Sequence, residues 1–389
     1  MWRWVLGAVV IAAALAVAGV LVFAPGMVER DRNRVIAHEP WPVSAEAQAL
    51  HERLTVADLH ADPLLWNRDL TERGDRGQVD LPRLIEGHVA VQVFTAVTKS
   101  PAGQNYEENS AEAMDNITLL ALAQAWPPAT WTSLTERALH QAERLKDFEA
   151  RAPEMLRIVR TRQDLEDVLA ARETGADTVA GILGLEGMHA LDGDPANLDR
   201  LWEAGYRLWG LTHFFDNDVA GSLHGEGGAG LTEFGRQVVR EAMARDAIID
   251  LAHASPEAAW EVLAMVDRPV IVSHGGTHNH CPVTRNFPDD LMQAVAAQGG
   301  VIGIGYWEDA VCGTTPAEIV EAIAAAVELV GEDHVALGSD FDGSVETHFD
   351  TSELAALTHE MLALGWSEER IRKVMGGNAV RVMRDLLPQ

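Results

Sequence analysis

Histidine, aspartate and glutamate residues recur at the ends of short apolar, β-branched runs along the chain. These residues are His60, Asp62, Glu186, His213, His253, His274 and Asp340. His60 and Asp62 are two positions apart, so both side chains point to the same side of an extended segment and can bind one cation. A set of imidazoles and carboxylates without cysteine suits zinc, and manganese or cobalt would also be tolerated. The pattern indicates a metal site if the fold brings the ends of these runs together.

The runs alternate with helical patterns, and this alternation indicates the fold class. Strands are predicted at Thr55–Leu59, Val89–Thr95, Val179–Leu185, Arg207–Leu211, Ile248–Ala252, Val270–Ser273, Val301–Gly305 and Val335–Ser339. Apolar residues at three-to-four spacing predict helices at Leu231–Arg245, Pro256–Val266, Pro288–Ala297 and Pro316–Val330. Eight strands alternating with helices are typical of a (β/α)8 TIM barrel, an α/β fold, although a doubly wound open sheet shows the same alternation.

A closed barrel would gather the reactive side chains at one place. All strands of a (β/α)8 barrel end at the same mouth, so side chains between residues 58 and 342 would converge there. The stretch Asn105–Glu173 is predicted to hold two or three helices where one crossover would suffice. We therefore expect a helical insertion beside the barrel.

Composition narrows the classes of partner. The 389 residues carry a formal net charge of −29, and a field of that sign repels phosphate backbones, so no nucleic-acid partner is expected. The two cysteines, Cys281 and Cys312, are too few for a disulfide scaffold or a cysteine-rich zinc module. They can form one bridge or remain two free thiols.

The N-terminal run at residues 4–24 is apolar, uncharged and long enough to span a bilayer. We predict an N-terminal transmembrane helix as a membrane anchor at residues 1–26, a linker at 27–50 and one barrel domain at 51–389. The small residues at 14–18 leave a cleaved signal peptide as the alternative. Arg30, Arg32 and Arg34 follow the run and favour a cytoplasmic C-terminal side, which conflicts with export of the domain.

Several other residues have structural interpretations. Three loop histidines are expected to be solvated, namely His224, His278 and His280. Asp342 is expected to cap the turn into Gly343. Three tryptophans are expected to pack in the core, namely Trp202, Trp209 and Trp260.

Six short motifs contain the reactive residues, namely His60-Ala61-Asp62, Leu185-Glu186-Gly187, Leu211-Thr212-His213, Asp250-Leu251-Ala252-His253-Ala254-Ser255, Val272-Ser273-His274 and Gly338-Ser339-Asp340-Phe341-Asp342-Gly343. Through these motifs the chain between Thr55 and Asn378 resembles the membrane dipeptidases, or renal dipeptidases, of the metal-dependent amidohydrolase superfamily. Each motif is weak alone, but their order and spacing together are specific. Related hydrolases of the superfamily usually begin with His-x-His and bridge their metals with a carbamylated lysine. His-x-Asp and Glu186 in this chain favour a dipeptidase over a deaminase or a phosphotriesterase.

The resemblance implies a zinc-dependent dipeptidase with two zinc ions per chain. His60 and Asp62 would hold one ion, His253 and His274 would hold the other, and Glu186 would bridge them. Two close cations would lower the pKa of a shared water and polarise the scissile carbonyl group, so that the peptide bond is attacked without a protein nucleophile.

The resemblance also assigns the remaining roles at the site. Asp340 would shuttle a proton from the water to the leaving amine. His213 would stabilise the oxyanion or orient the substrate carbonyl group. Arg285 would bind the free carboxylate of the dipeptide, and the alternative is a surface arginine paired with Asp289 or Asp290.

Compartment and assembly follow from the same likeness. It implies a disulfide between Cys281 and Cys312 in the loops over the mouth, which would require an oxidising compartment. We therefore expect a single-pass anchor in a bacterial-type inner membrane with a periplasmic or other extracytoplasmic domain, and a homodimer is also in keeping with the family.

Two other functions stay open from the residues alone. One is another binuclear metal-dependent amide or lactone hydrolase, and the other is a membrane-anchored protein that binds peptides without cleaving them.

Overall fold

The computed structural model describes residues 2, 4–6, 19 and 23–389. Most of the predicted membrane helix at residues 4–24 lies outside the described residues. Among those described, one stretch, Glu308–Val330, is long and apolar enough to cross a membrane, and half of it is buried inside the protein. This stretch contains two helices, and the longer one packs against two strands of the barrel. The stretch therefore belongs to the wall of the barrel.

The strands form a closed parallel barrel. Their bounds are β1 (Val56–Ala61), β2 (Val89–Ala96), β3 (Leu156–Ile158), β4 (Val179–Glu186), β5 (Tyr206–Gly210), β6 (Ile248–Asp250), β7 (Ile271–Val272), β8 (Val301–Ile304) and β9 (Val335–Leu337). Each of the eight predicted strands has a counterpart here. Pairing runs from β1 through β2, β4, β5, β6, β7 and β8 to β9, which returns to β1. The ring is closed, so the open-sheet alternative is wrong.

One short strand was not predicted. Strand β3 pairs with the first residues of β4, whereas β5 pairs with the later residues of β4 on the way to the mouth. Three residues with alternating burial are too few to give a periodic signal in the sequence. Strand β3 therefore adds to the wall of the barrel without becoming a member of the ring.

Helices cover the outside of the ring. They are α1 (Ala45–His51), α2 (Leu81–Glu86), α3 (Asn116–Ala123), α4 (Leu134–Arg151), α5 (Arg162–Glu173), α6 (Asn197–Ala204), α7 (Glu233–Arg245), α8 (Pro256–Met265), α9 (Asp289–Ala297), α10 (Glu308–Val311), α11 (Pro316–Val330), α12 (Ala355–Ala363), α13 (Glu368–Arg372) and α14 (Asn378–Leu386). The four predicted helices correspond to α7, α8, α9 and α11. Helices α3, α4 and α5 make up the predicted insertion.

Local sequence explains where these helices begin. Thr315 caps α11, and its side chain and that of Glu318 form a reciprocal capping box next to Pro316. Ser255 caps α8, since its side chain accepts from the backbone nitrogen of Ala258, and Pro256 is the first residue of that helix. That helix buries Ala258, Ala259 and Val262, so Trp260 falls on its outer face and is 41% exposed. The predicted core position of Trp260 is therefore wrong.

Alternation along β1 turns its polar residues away from the apolar outer layer. Ala57 and Leu59 belong to a buried apolar cluster that includes residues of α14. Successive strand residues point to opposite faces, so Asp58 and His60 face the other side. The same strand thus contributes both to the core and to the mouth.

Residues 27–50, which were predicted as a linker, contact the body of the protein along most of their length. Residues 23–32 are helical. Val35 forms a parallel bridge to Thr347, and the indole nitrogen of Trp41 donates to the His348 carbonyl oxygen at 2.9 Å. Helix α1 packs against α12. The segment is therefore built into the domain, because its polar groups find partners there.

Candidate metal centre

The predicted metal ligands meet at the mouth of the barrel. His60 lies one residue before the end of β1, Glu186 ends β4, and His253 and His274 follow β6 and β7 within a few residues. Asp62 comes directly after β1. Their side chains are buried although they come from distant parts of the chain. The closed ring brings them together, as the parallel strand order requires.

Glu186 lies at the centre of the cluster. Its Oε1 atom is 3.4 Å from Nε2 of His60, 3.2 Å from Nε2 of His253 and 3.5 Å from Nε2 of His274. Nε2 of His60 also lies 3.6 Å from Oδ2 of Asp62. One carboxylate thus contacts ligand atoms on both sides of the cluster, which is the arrangement expected of a bridging group.

The polar atoms of this cluster are better arranged to coordinate a metal ion than to form hydrogen bonds with one another. Nε2 of His60 is buried in the cluster without a hydrogen-bond partner. Nε2 of His253 and Nε2 of His274 lie 2.9 Å apart, so at most one of them can carry a proton there. Unpaired buried nitrogen atoms are costly unless a cation or a donor satisfies them. The donor set of imidazoles and carboxylates suits zinc.

The groupings of donor atoms partly match the predicted division between two ions. His60, Asp62 and Glu186 place donor atoms within 4.8 Å of one another, as the first ion would need. Glu186 and His253 form a second such group, but its third member is His213, which was expected to contact substrate. His274 instead groups with His60 and Asp340.

Asp340 and His213 border different ligands of the cluster. Oδ1 of Asp340 is 3.9 Å from Nε2 of His60. Nε2 of His213 is 3.5 Å from Oε1 of Glu186, and its ring packs edge-on against His253 with ring centroids 4.9 Å apart. A carboxyl group and an imidazole therefore flank the cluster at separate positions.

Arg285 lies beside the cluster as a buried cation. Only 3% of it is exposed, and its one hydrogen bond among the described residues runs from Nη2 to the His274 carbonyl oxygen at 2.8 Å. Its guanidinium lies over the Trp307 ring, 5.6 Å from the centroid. Asp289 accepts from the Asn279 backbone instead, so the surface-pair alternative for Arg285 is wrong. A buried guanidinium without a carboxylate partner can receive an anion from a ligand.

Comparison with known proteins agrees with this geometry. Residues 44–387 match the sequence profile of the membrane dipeptidases, peptidase family M19. The chain belongs to the membrane dipeptidase family. It is therefore a metallopeptidase that hydrolyses dipeptides, and it uses a metal cofactor.

Individual relatives extend over most of the chain. Dipeptidase ataJ of Aspergillus terreus is 26% identical over 383 residues, which cover 89% of this chain and 88% of the relative. The solved structure of dipeptidase AC, a metallopeptidase of family M19, is 26% identical with a TM-score of 0.69 and covers 86% of this chain and 99% of its own. The probable dipeptidase PvdM from Pseudomonas aeruginosa has the same fold, at 20% identity and a TM-score of 0.72, with 88% and 98% coverage.

Several residues that hold the ligands of this dipeptidase were not singled out from the sequence. Asp58 accepts hydrogen bonds from the His60 backbone at 3.1 Å and from the Ser339 hydroxyl at 2.5 Å. The Thr95 hydroxyl lies 2.6 Å from Oδ1 of Asp62, at the end of β2. The Ser273 hydroxyl lies 2.8 Å from Nδ1 of His274. Asp58 shares its strand face with His60 and Asp62, and that spacing was the available signal.

Electrostatics inside the cluster set its charge state. Burial opposes ionisation of Glu186, but the imidazoles of His213 and His60 hold the pKa of that carboxyl well below its usual range. Burial raises the pKa of Asp340 well above its usual range, and the nearby carboxylates Asp62 and Glu186 raise it further. The pKa values of the two acids are therefore shifted in opposite directions, as is expected when Glu186 is a metal ligand and Asp340 is a proton carrier.

The mouth of the barrel is covered by loops, one from the insertion and two that are joined by the disulfide. The Tyr106 hydroxyl accepts a hydrogen bond from Nε1 of Trp307 at 2.8 Å. Cys281 and Cys312 form a disulfide with Cα atoms 5.6 Å apart, which joins the loop after β7 to the end of α10. The cover is thus built from loops that approach the cluster from different sides.

Two predictions about polar residues need correction. His224 is fully buried, because its ring stacks on Phe214 and its Nδ1 atom lies 2.7 Å from the Tyr106 carbonyl oxygen. Asp342 does not cap the turn into Gly343; its carboxylate accepts from the backbone nitrogen of Gln78 at 2.8 Å. His278 is exposed and His280 is half-buried.

Proposed function

We propose that this dipeptidase holds two zinc ions between His60 and Asp62 on one side and His253 and His274 on the other, with Glu186 shared. The observation that supports this most is that the Nε2 atoms of all three proposed histidine ligands lie 3.2 to 3.5 Å from one oxygen atom of Glu186. Two such cations would polarise the scissile carbonyl group and lower the pKa of the attacking water.

Asp340 then carries the proton. Its carboxylate borders His60, so it can accept a proton from the attacking water and deliver it to the leaving amine. His213 borders the other side of the cluster through His253 and stabilises the oxyanion or orients the carbonyl group of the substrate. This division of roles rests on the separate positions of the two side chains.

Arg285 receives the free carboxylate of the dipeptide. The guanidinium is buried and has no carboxylate partner of its own among the described residues, and its Nε atom has no hydrogen-bond partner. A planar guanidinium binds a carboxylate with two parallel hydrogen bonds. Loops that cover the mouth favour a short ligand such as a dipeptide over longer peptides.

A substrate panel tests the reaction. Purified full-length protein loaded with zinc should hydrolyse L,L- and L,D-dipeptides in preference to lactones and to deaminase substrates. The panel also identifies the side chains accepted at each position. Faster turnover of a lactone than of every dipeptide would assign the site to another amide or lactone hydrolase of the superfamily.

The catalytic domain is attached to a bacterial-type inner membrane by the anchor at residues 1–26 and faces the periplasm or another extracytoplasmic space. The disulfide between Cys281 and Cys312 supports an oxidising compartment. The arginines after the span argue for the opposite orientation. Mass analysis of non-reduced peptides from native membranes decides between them, because two free thiols would favour a cytoplasmic domain. A homodimer remains a prediction.

A further inference from the structure

The loop that carries Asp340 has an unusual backbone. Asp340, Asp342 and Ser344 adopt φ angles of 60°, 64° and 69°. Residues other than glycine rarely enter this left-handed region, and they stay there only where surrounding contacts hold them. The position of Asp340 therefore depends on whatever fixes residues 340–344.

Asp342 is the main attachment of this loop. Its buried carboxylate accepts hydrogen bonds from the backbone nitrogens of Gln78 at 2.8 Å and of Val79 at 3.2 Å. It also accepts a hydrogen bond from the Arg68 guanidinium. The Trp66 indole nitrogen donates to the carbonyl oxygen of Asp342 at 2.7 Å. The loop is thus fixed by residues that precede it in the chain by more than 260 positions.

The N-terminal segment completes this network. Glu29 is 1% exposed and forms an ion pair with Arg68, while its other oxygen accepts from Nε of Arg76 at 2.6 Å. Oδ1 of Asn33 accepts from the backbone nitrogen of Ser344 at 2.8 Å. Two contacts from residues 29–33 therefore reach the Asp340 loop, one through Arg68 and one directly.

We propose that Glu29 is a positioning residue for Asp340, acting through Arg68 and Asp342. The inference rests on the proposed role of Asp340 as proton carrier. Residues 29–33 precede the region that matches the family, residues 44–387, so the match assigns them no role. The catalytic unit accordingly begins at Glu29, in the segment next to the predicted anchor.

The physical reason is charge balance in a buried place. Arg68 is buried between the carboxylates of Glu29 and Asp342. Removing the charge of Glu29 leaves Arg68 with Asp342 as its carboxylate partner, so the guanidinium can shift toward Asp342 and displace the loop that carries Asp340. Small displacements of a catalytic group lower turnover steeply, whereas substrate affinity is set elsewhere, at Arg285. The expected signature is a loss in kcat with an unchanged KM.

The variant Glu29→Gln in the full-length, metal-loaded protein tests this. We expect kcat to fall about 10- to 100-fold while KM stays within about twofold and metal content is unchanged. The matched control is Glu346→Gln, which removes the exposed ion pair with Arg34 between the same two segments. An exposed pair contributes little, so both kinetic constants of the control should stay at wild-type values.

A double variant separates positioning from general destabilisation. If Glu29 acts through Asp340, adding Glu29→Gln to Asp340→Asn should lower kcat by less than about twofold further. An equal fold-loss in both backgrounds, or an unchanged kcat in the single variant, would overturn the proposal. Should Glu29→Gln fail to fold, Asn33→Ala replaces it and should lower kcat by about 2- to 10-fold, again only when Asp340 is present. Absence of dipeptide hydrolysis by the wild type would instead refute the proposed function.

Discussion

Replacement of Arg285 by methionine probes why this site should select dipeptides. Methionine keeps the unbranched aliphatic stem of the side chain but removes the charge and all donors. In the wild type the guanidinium is buried, and its one hydrogen bond among the described residues goes to the His274 carbonyl oxygen. The variant therefore removes two things, namely this bond and the partner of the substrate carboxylate.

The two losses differ in magnitude and in the substrates they affect. Loss of the bond to His274 costs about 1 kcal/mol and affects every substrate alike. Loss of the guanidinium from a desolvated charge pair costs roughly 2–5 kcal/mol, but only for substrates that carry a free carboxylate. At 1.4 kcal/mol per tenfold, kcat/KM for free dipeptides should fall by about 30-fold or more.

The assay compares a free dipeptide with its C-terminally amidated form. The wild type should handle the amide poorly, and the Arg285→Met variant should lose no more than about fivefold further on it, the amount expected from the bond to His274 alone. Metal content by elemental analysis should not change. Arg240→Met, which removes an exposed ion pair with Glu233, is the matched control and should behave as wild type. Equal losses on the free and amidated dipeptides would falsify the carboxylate role and leave Arg285 with a structural one.

Three further predictions concern the metals, the proton and acid stability. Metal-reconstituted protein should approach two ions per chain, and Glu186→Gln should disturb both ions together; a value that never exceeds one in the wild type contradicts the binuclear site. Asp340→Asn should lower turnover by about 10²–10⁴-fold without loss of metal, and near-normal turnover would remove Asp340 from the mechanism. Burial lowers the pKa of His51 from 6.5 to about 4. The unfolded chain therefore binds the extra proton between these pH values, and folding stability falls as pH drops through that window. Chemical denaturation should show the wild type losing about 3 kcal/mol more than His51→Gln between pH 7 and pH 4, and parallel losses would refute this.

The ligand cluster was largely predictable because a parallel barrel places all strand ends at one mouth. His60, Glu186, His253 and His274 needed only the strand positions and the order of the runs to be grouped. Asp58 has the same alternate spacing as His60 and Asp62, but spacing alone does not distinguish a ligand from a residue that orients one. Thr95 escaped notice because it has no distinctive spacing at all. The packing partners of each side chain decide that role.

Residues 27–50 show where sequence patterns stop being informative. A short charged stretch after an apolar run is typical of a linker, and its own periodicity gives no other indication. Glu29 has a structural role only because the folded chain places Arg68 and Arg76 beside it, where both form ion pairs with its carboxylate. Arg285 is a second example. Acidic residues close to it in the sequence suggested a surface ion pair, and only the folded structure shows that its guanidinium is buried.

The sequence by itself determined the alternation of strands and helices, the insertion and the identity of the candidate ligands, because hydrophobic periodicity and strand-end chemistry are local properties of the chain, whereas closure of the ring was decided by the tertiary structure. Only the tertiary structure decided that His224 is buried and that Asp342 anchors a strained loop. It also decided that the segment before α1 belongs to the domain. These features depend on contacts between residues hundreds of positions apart, whose partners are set by ring closure and by side-chain packing.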